Sequence, residues 1–212
     1  MSNELIIQKG SSGVEIALLS NRKLIEFHRE TASDGFQVGD FYLGKVKKIS
    51  PYLNAAFVHV GGEKDGFLTY FDLGPNLKSL RKVVKSAIGG HPRAADLDEF
   101  TIEEPIVKTG KIGQVLKSGE PLLVQVIKEP IANKGPKVTC DISIPGRYFI
   151  LVPFTNHISI SRKIGNPKEK SRLKDLANSI RPHNFGVIVR TVSEGVAIEE
   201  LDKDMRDLIK KW

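Results

Sequence analysis

Gly39-Asp40-Phe41-Tyr42-Leu43-Gly44-Lys45-Val46-Lys47-Lys48-Ile49, a Ser50-Pro51 turn, Ala55-Ala56-Phe57-Val58-His59-Val60, a Gly61-Gly62 break and Asp65-Gly66-Phe67-Leu68-Thr69 form the stretch that decides the fold. Closely spaced apolar strands parted by glycine turns, without helical periodicity, predict a small β-barrel. The barrel resumes at Pro121 to Lys128 and at Val138 to Ile142. Alternation along residues 55–60 puts Ala56, Val58 and Val60 on one face and Ala55, Phe57 and His59 on the other. With the valines filling the barrel, Phe57 faces outward; by the same logic Leu68 points in and Phe67 out, on the next strand. Two outward phenyl rings on adjacent strands would make a stacking platform for unpaired bases. The competing expectation is that both rings close a hydrophobic seam.

Lys128-Glu129-Pro130-Ile131-Ala132-Asn133-Lys134-Gly135-Pro136-Lys137 joins the last two barrel strands and puts three lysines on a loop stiffened by two prolines. Beside an aromatic platform such a loop neutralises phosphates while the rings hold bases; alone, it would be an ordinary solvated loop. Between the barrel halves, Leu77, Leu80, Val83, Val84 and Ile88 recur at helical spacing among Lys78, Arg81, Lys82 and Lys85, predicting a basic amphipathic helix inside an insertion. Residues 89–104 mix Gly, Pro and acids and are expected to form a mobile loop.

Outward from the barrel, Leu5 to Ile7, Val14 to Leu19 and Leu24 to Phe27 read as a three-strand meander, separated by residues 9–13 and 20–23. Three strands with an apolar face need a covering layer, and no amphipathic helix follows nearby, so this opening unit is expected to be incomplete. In the last third, Arg147 to Pro153 and Ile158 to Ile164 read as strands. Asn166 suits an N-cap with Pro167 at the first helical position, and Leu173, Leu176, Ala177 and Ile180 form an apolar stripe. A strand at Phe185 to Thr191 precedes a helix with Ile198, Leu201, Met205, Leu208, Ile209 and Trp212 on one face. Its ending on Trp212 in mid-pattern leads to the expectation of a truncated helix.

The 212 residues include 32 Lys and Arg against 25 Asp and Glu, a net charge of +7 that favours an anionic partner. Cys140 is the single cysteine, which excludes an internal disulfide and a cysteine-built zinc site and fits a reducing cytoplasm. No apolar run approaches the roughly 18 residues needed to span a bilayer, and the N-terminus carries no basic-then-apolar signal pattern. His28, His59, His91, His157 and His183 are scattered, and the carboxylates cluster only in the insertion and the last helix, so no catalytic constellation is expected. Ser161-Arg162-Lys163 and Arg190-Thr191 set arginine beside a hydroxyl, a pairing able to grip a phosphate if the two strands lie side by side.

Taken together, Tyr42-Leu43-Gly44-Lys45-Val46, the run from Leu53 to Gly61, Gly66-Phe67-Leu68, Asn133-Lys134-Gly135, Ile160-Ser161-Arg162-Lys163-Ile164 and Gly186-Val187-Ile188-Val189-Arg190-Thr191 resemble, in order, motifs of the ribonuclease E/G family. The likeness covers the chain except about Tyr70 to Lys111, an insertion longer than the family's usual loop. It implies an α+β, mainly β protein. Residues 1–38 would begin an RNase H-like subdomain, 39–143 would form an S1 domain of the OB type with its insertion at about 70–111, and 144–212 a 5′-sensor region. By motif position Phe57, Phe67 and Lys134 would contact single-stranded RNA. Arg190 and Thr191 would grip a 5′-monophosphate, with Gly146, Ile150 and Arg162 lining the pocket, while Lys163 stands where a second arginine is common.

The resemblance further implies a cytoplasmic, homo-oligomeric endoribonuclease of RNA processing and decay. Its catalytic magnesium carboxylates and a structural zinc link would lie beyond Trp212, so this chain would hold neither metal, bind RNA and cleave nothing. The alternative from another class is a non-enzymatic S1/OB module acting as an RNA chaperone or ribosome-associated factor. A further alternative makes the basic insertion helix a membrane-surface or protein-docking element.

Overall fold

A computed structural model describes residues 2–10, 13–31 and 35–212, so Ser11 and Ser12 of the first expected turn lie outside the described residues. The chain divides into two compact units, residues 1–36 and 37–212.

The first unit is the expected meander, β1 (Asn3–Gly10), β2 (Gly13–Ser20) and β3 (Lys23–Thr31), paired antiparallel in that order. Asn21 and Arg22 both have positive φ, 49° and 63°, the backbone of the two-residue hairpin turn whose twist matches its strands. Glu15 and Arg29 face each other across β2 and β3, and Arg29 Nε donates to the carboxylate at 2.8 Å. Leu5, Ile7, Leu24, Ile25 and Phe27 are all at least half exposed. Three strands alone cannot cover their own apolar side chains.

The second unit opens with the barrel: β4 (Phe41–Ser50), β5 (Ala55–His59), β6 (Gly66–Thr69), β7 (Pro121–Lys128) and β8 (Lys137–Thr139), closed in the order β4-β5-β6-β8-β7. Val46, Ala56, Val58, Leu68, Leu122, Val124, Val126 and Val138 point inward and are buried, as the period of two requires. At Gly44 a Cβ would lie 2.6 Å from Val58 Cγ1 and 2.8 Å from the His59 carbonyl, so only glycine lets β4 and β5 close that tightly.

Within the insertion, α1 (Leu77–Ile88) buries Leu77, Leu80, Val83 and Val84 and leaves Ile88 exposed. Arg81 pins the helix to the barrel, donating to the Val115 carbonyl at 2.9 Å and to Glu120 at 2.6 Å. The helical turn α2 (Ile112–Val115) is absent from the sequence expectations because four residues show no periodicity. It docks on Asn54, whose side chain accepts from Ile112 N–H and donates to the Gly110 carbonyl. Ala55, beside Asn54, is fully buried although alternation sets it on the outer face.

Residues 89–104, expected to be mobile, are instead fastened to the rest of the unit. Asn184, buried with φ 62°, donates its amide to the carbonyls of Leu97 and Phe100 at 2.8 and 2.7 Å. Trp212 Nε1 donates to the Ala95 carbonyl at 2.7 Å, and its ring meets Phe154 and Phe185 edge-on. Phe100 packs on Phe154, and Lys82 lies over the Phe100 ring while pairing with Glu103 at 2.7 Å. Composition hides this strap because Leu97 and Phe100, its two apolar anchors, are outnumbered by acids and turn formers.

The last third forms the sheet β11-β12-β10-β9, from β9 (Ile144–Pro145), β10 (Phe149–Pro153), β11 (Ile158–Ile160) and β12 (Phe185–Val189). Pairing of β10 with β12 is antiparallel, and that of β11 with β12 parallel, with α3 (Pro167–Ile180) as the crossover. Asn166 caps α3 as expected, its Oδ1 accepting from Lys168 N–H at 3.0 Å ahead of Pro167. The α3 residue Glu169 accepts from Arg172 and from Gly195 N–H, and these bonds lower its pKa to about 2. Helix α4 (Ile198–Lys211) buries Leu201, Met205 and Leu208, but leaves Ile198 and the rim of Ile209 exposed, a narrower stripe than expected. The architecture is mixed α+β, mainly sheet, with a closed five-stranded barrel beside an α/β region.

Candidate nucleic-acid interface

The register sets one row of side chains across the barrel wall. Lys48 on β4 pairs with Phe57 on β5, Phe57 with Phe67 on β6, Phe67 with Lys137 on β8, and Lys137 with Lys128 on β7. The two rings are half-buried, with centroids 5.7 Å apart and planes tilted by 55°. They rest on one another while their outer faces line a groove of about 640 Å³ that also takes in Leu53, Ile131, Lys64 and Lys134.

Lys48 was not singled out by sequence reasoning, and a local irregularity explains its position. The register shifts between Val46 and Lys48, so Lys47 is the extra residue of a bulge and both lysines reach the outside. Two consecutive lysines breaking the alternation of β4 were the available signal. Lys47 is committed to Asp65 at 2.9 Å, and Lys137 to Asp72 at 2.9 Å. Lys48, Lys128 and Lys134 are exposed.

The lysine loop is built rigidly. Ile131 and Lys134 form an isolated bridge, Ala132 has φ 49°, and Lys64 donates to the Ala132 carbonyl at 2.6 Å. A Cβ on Gly135 would sit 2.0 Å from the Asp65 carbonyl, so the loop packs directly on the turn before β6. Lys134 is thereby held at the rim of the phenyl groove with its ammonium in solvent.

The second candidate area lies where β11 and β12 end and the antiparallel β10 begins. Parallel pairing of β11 with β12 brings together the two hydroxyl-arginine pairs that spacing alone could not unite: Ser161 Oγ and Thr191 Oγ1 are 2.7 Å apart. Arg162 follows, exposed. Arg190 Nη1 donates to the carbonyls of Gly146 at 2.7 Å and Arg147 at 3.3 Å, leaving Nε and Nη2 without partners among the described residues. Ile150 sits between Pro145 and Ile188 in the sheet, half-buried. An exposed arginine with a guanidinium edge not used by the carbonyls, next in the chain to a threonine whose hydroxyl meets Ser161, offers the donor types that a phosphate monoester takes. Burial pushes the Cys140 thiol pKa up, so it is a packing residue. Among the described residues no group of three or more His, Cys, Asp and Glu could hold a metal ion, and no helix is long and apolar enough to cross a membrane.

The family model described as the Ribonuclease E/G family matches residues 143–212. Ribonuclease E of Synechocystis sp. is 38% identical over 177 residues, 83% of this chain and 22% of that protein. Ribonuclease G of Salmonella typhimurium is 30% identical over 212 residues, 100% of this chain and 40% of that protein. Ribonuclease G of Haemophilus influenzae is 31% identical over 209 residues, 99% of this chain and 39% of that protein. The chain thus spans two-fifths or less of the length of these relatives. Likeness to ribonuclease G along the whole chain and to ribonuclease E along 83% of it, with the family model matching the last third, makes it a member of the ribonuclease E/G family.

Proposed function

We propose that this chain is the RNA-gripping part of a cytoplasmic endoribonuclease of RNA processing and decay, holding single-stranded RNA on the barrel wall and its 5′-monophosphate at the Arg190 corner. The observation that carries the reading is the row Lys48-Phe57-Phe67-Lys137-Lys128, with Lys134 at its rim. Stacking on two rings tolerates any base but requires it to be unpaired, and flanking ammonium groups pair with the phosphates on either side. Duplex RNA hides its base faces and is excluded. At the other area Arg190 offers its Nε–Nη2 edge to two phosphate oxygens, and the Thr191 hydroxyl donates to a third. A 5′-hydroxyl end offers nothing for that fork to bind.

Gly146, Ile150 and Arg162 shape and charge this pocket, and the phosphate anchor fixes which stretch of RNA reaches the barrel. In a protein of the relatives' length, hydrolysis with magnesium, a structural zinc link and assembly into a homo-oligomer would fall to segments outside these 212 residues. This chain alone is expected to bind RNA without cutting it.

Affinity for a 3′-labelled single strand, compared between 5′-monophosphate and 5′-hydroxyl ends, tests the assignment. Arg190→Ala is expected to erase a preference of roughly tenfold or more, the scale of a charge-assisted hydrogen-bonded pair. Lys134→Ala should weaken both ligands and lower the salt slope by about 0.7, the value for one single-strand phosphate contact. Equal binding of both ends by the unaltered chain would remove the sensor role, and equal binding of duplex and single strand would remove the barrel role.

A further inference from the structure

Helix α4 carries a carboxylate that neither the sequence nor the phosphate chemistry singled out. Asp204 accepts three backbone N–H bonds from the turn after β9 and the first residue of β10: Arg147 at 3.0 Å to Oδ1, Tyr148 at 2.9 Å and Phe149 at 3.0 Å to Oδ2. A trans peptide is planar, and its N–H and C=O point in opposite directions. Fixing these three N–H groups on one side therefore fixes the carbonyls of Gly146, Arg147 and Tyr148 on the other. Those carbonyls are the groups that hold Arg190. Gly146 O and Arg147 O accept from its guanidinium, and Tyr148 O accepts its backbone N–H at 2.9 Å. The Tyr148 carbonyl also takes the Ser193 hydroxyl at 2.8 Å, fixing the turn that follows Thr191.

Glycine at 146 has its explanation in the same place. A Cβ there would lie 2.7 Å from Asp204 Oδ2 and 2.8 Å from Oδ1, so the missing side chain is what admits the carboxylate. Glu200, one helical turn earlier, accepts from the Tyr148 phenol at 2.6 Å and secures the same turn from its side-chain end.

We infer that Asp204 is a positioning residue for 5′-phosphate recognition: through three peptide planes it orients the carbonyls that hold the Arg190 guanidinium with its free edge outward. This rests on the sensor reading of Arg190. The carboxylate touches no ligand. Three amide donors face its oxygens and offset part of its negative field. Without it the turn N–H groups turn to water, the carbonyls lose their common direction, and Arg190 samples rotamers that do not present a fork.

The test measures, in the full chain, the ratio of affinities for 5′-monophosphorylated and 5′-hydroxyl single strands of one sequence, for Asp204→Asn, Gly146→Ala and Arg190→Ala. Asp204→Asn keeps the shape and one acceptor but replaces the other by a donor facing N–H groups. Its ratio is expected to fall about tenfold, the scale on which ligand-binding side chains lose function when the groups orienting them are removed. Gly146→Ala displaces the carboxylate sterically with its charge intact and should lower the ratio in the same direction, deciding the matter if Asp204→Asn does not fold. A merely structural role would lower thermal stability and leave the ratio alone. Loss of the ratio in Arg190→Ala with full retention in both other variants overturns the inference. No ratio in the unaltered chain overturns the sensor reading itself.

Discussion

Replacing Phe57 and Phe67 together by alanine is expected to weaken single-strand RNA binding by about 2 to 4 kcal/mol, roughly 30- to 700-fold, taking about 1–3 kcal/mol for each base stacked on a ring. The rings touch at 5.7 Å between centroids, so the two losses will not simply add. Either single variant should therefore cost more than half of the double effect, because the remaining ring loses the neighbour that holds its tilt. The barrel should survive both changes. Its core is made by Val58, Leu68, Val124 and Val138, which point the other way. Anisotropy titrations at one fixed salt concentration measure the effect, and a double variant within twofold of the unaltered chain contradicts the stacking role.

Asn184→Ala is expected to lower unfolding free energy by about 2 to 3 kcal/mol, and to do so without touching the proposed RNA contacts. Its amide is the donor for two strap carbonyls, those of Leu97 and Phe100. Leu97 O keeps a second partner in Phe100 N–H, whereas Phe100 O loses its donor at a half-buried position. Stranding a half-buried acceptor costs about 1–2 kcal/mol, the lower part of the range for unsatisfied groups, and alanine at φ 62° adds backbone strain of order 1 kcal/mol. Urea unfolding measures the total, and hydrogen exchange should show faster exchange at the Phe100 amide. A change below about 0.5 kcal/mol, the level of an ordinary surface substitution, would mean the strap is decoration.

The strap also marks where the sequence could be read and where it could not. Period-two alternation is a local signal, and it gave the valines, Leu68 and the two outward rings without any knowledge of pairing. Helix α3 was legible for the same reason, since its cap, its proline and its stripe all lie within one short window. What failed was non-local. Nothing near residue 97 announces Asn184, and nothing near Asn54 announces that its side chain will bind residues 110 and 112. The bulge at Lys47 shifts Lys48 beside Phe57, an arrangement visible only once the partner strand is known.

The candidate phosphate corner divides in the same way. Arginine beside a hydroxyl could be picked out twice, but the meeting of Ser161 with Thr191 needs the parallel pairing of β11 and β12. Nothing in the sequence sets Asp204 apart from the other carboxylates of the last helix, because its three partners lie some 55 residues away along the chain. Family likeness is the source of the roles proposed for individual residues, and geometry shows what holds those residues in place.

The claim on which the account turns is that unpaired bases lie on the Phe57–Phe67 wall. An NMR titration of the chain with a short 5′-monophosphorylated single strand tests it most directly. The account predicts intermolecular contacts between the ring protons of both phenylalanines and base protons, with shifts at Lys48 and Lys134. A saturated complex whose contacts leave both rings untouched would contradict it.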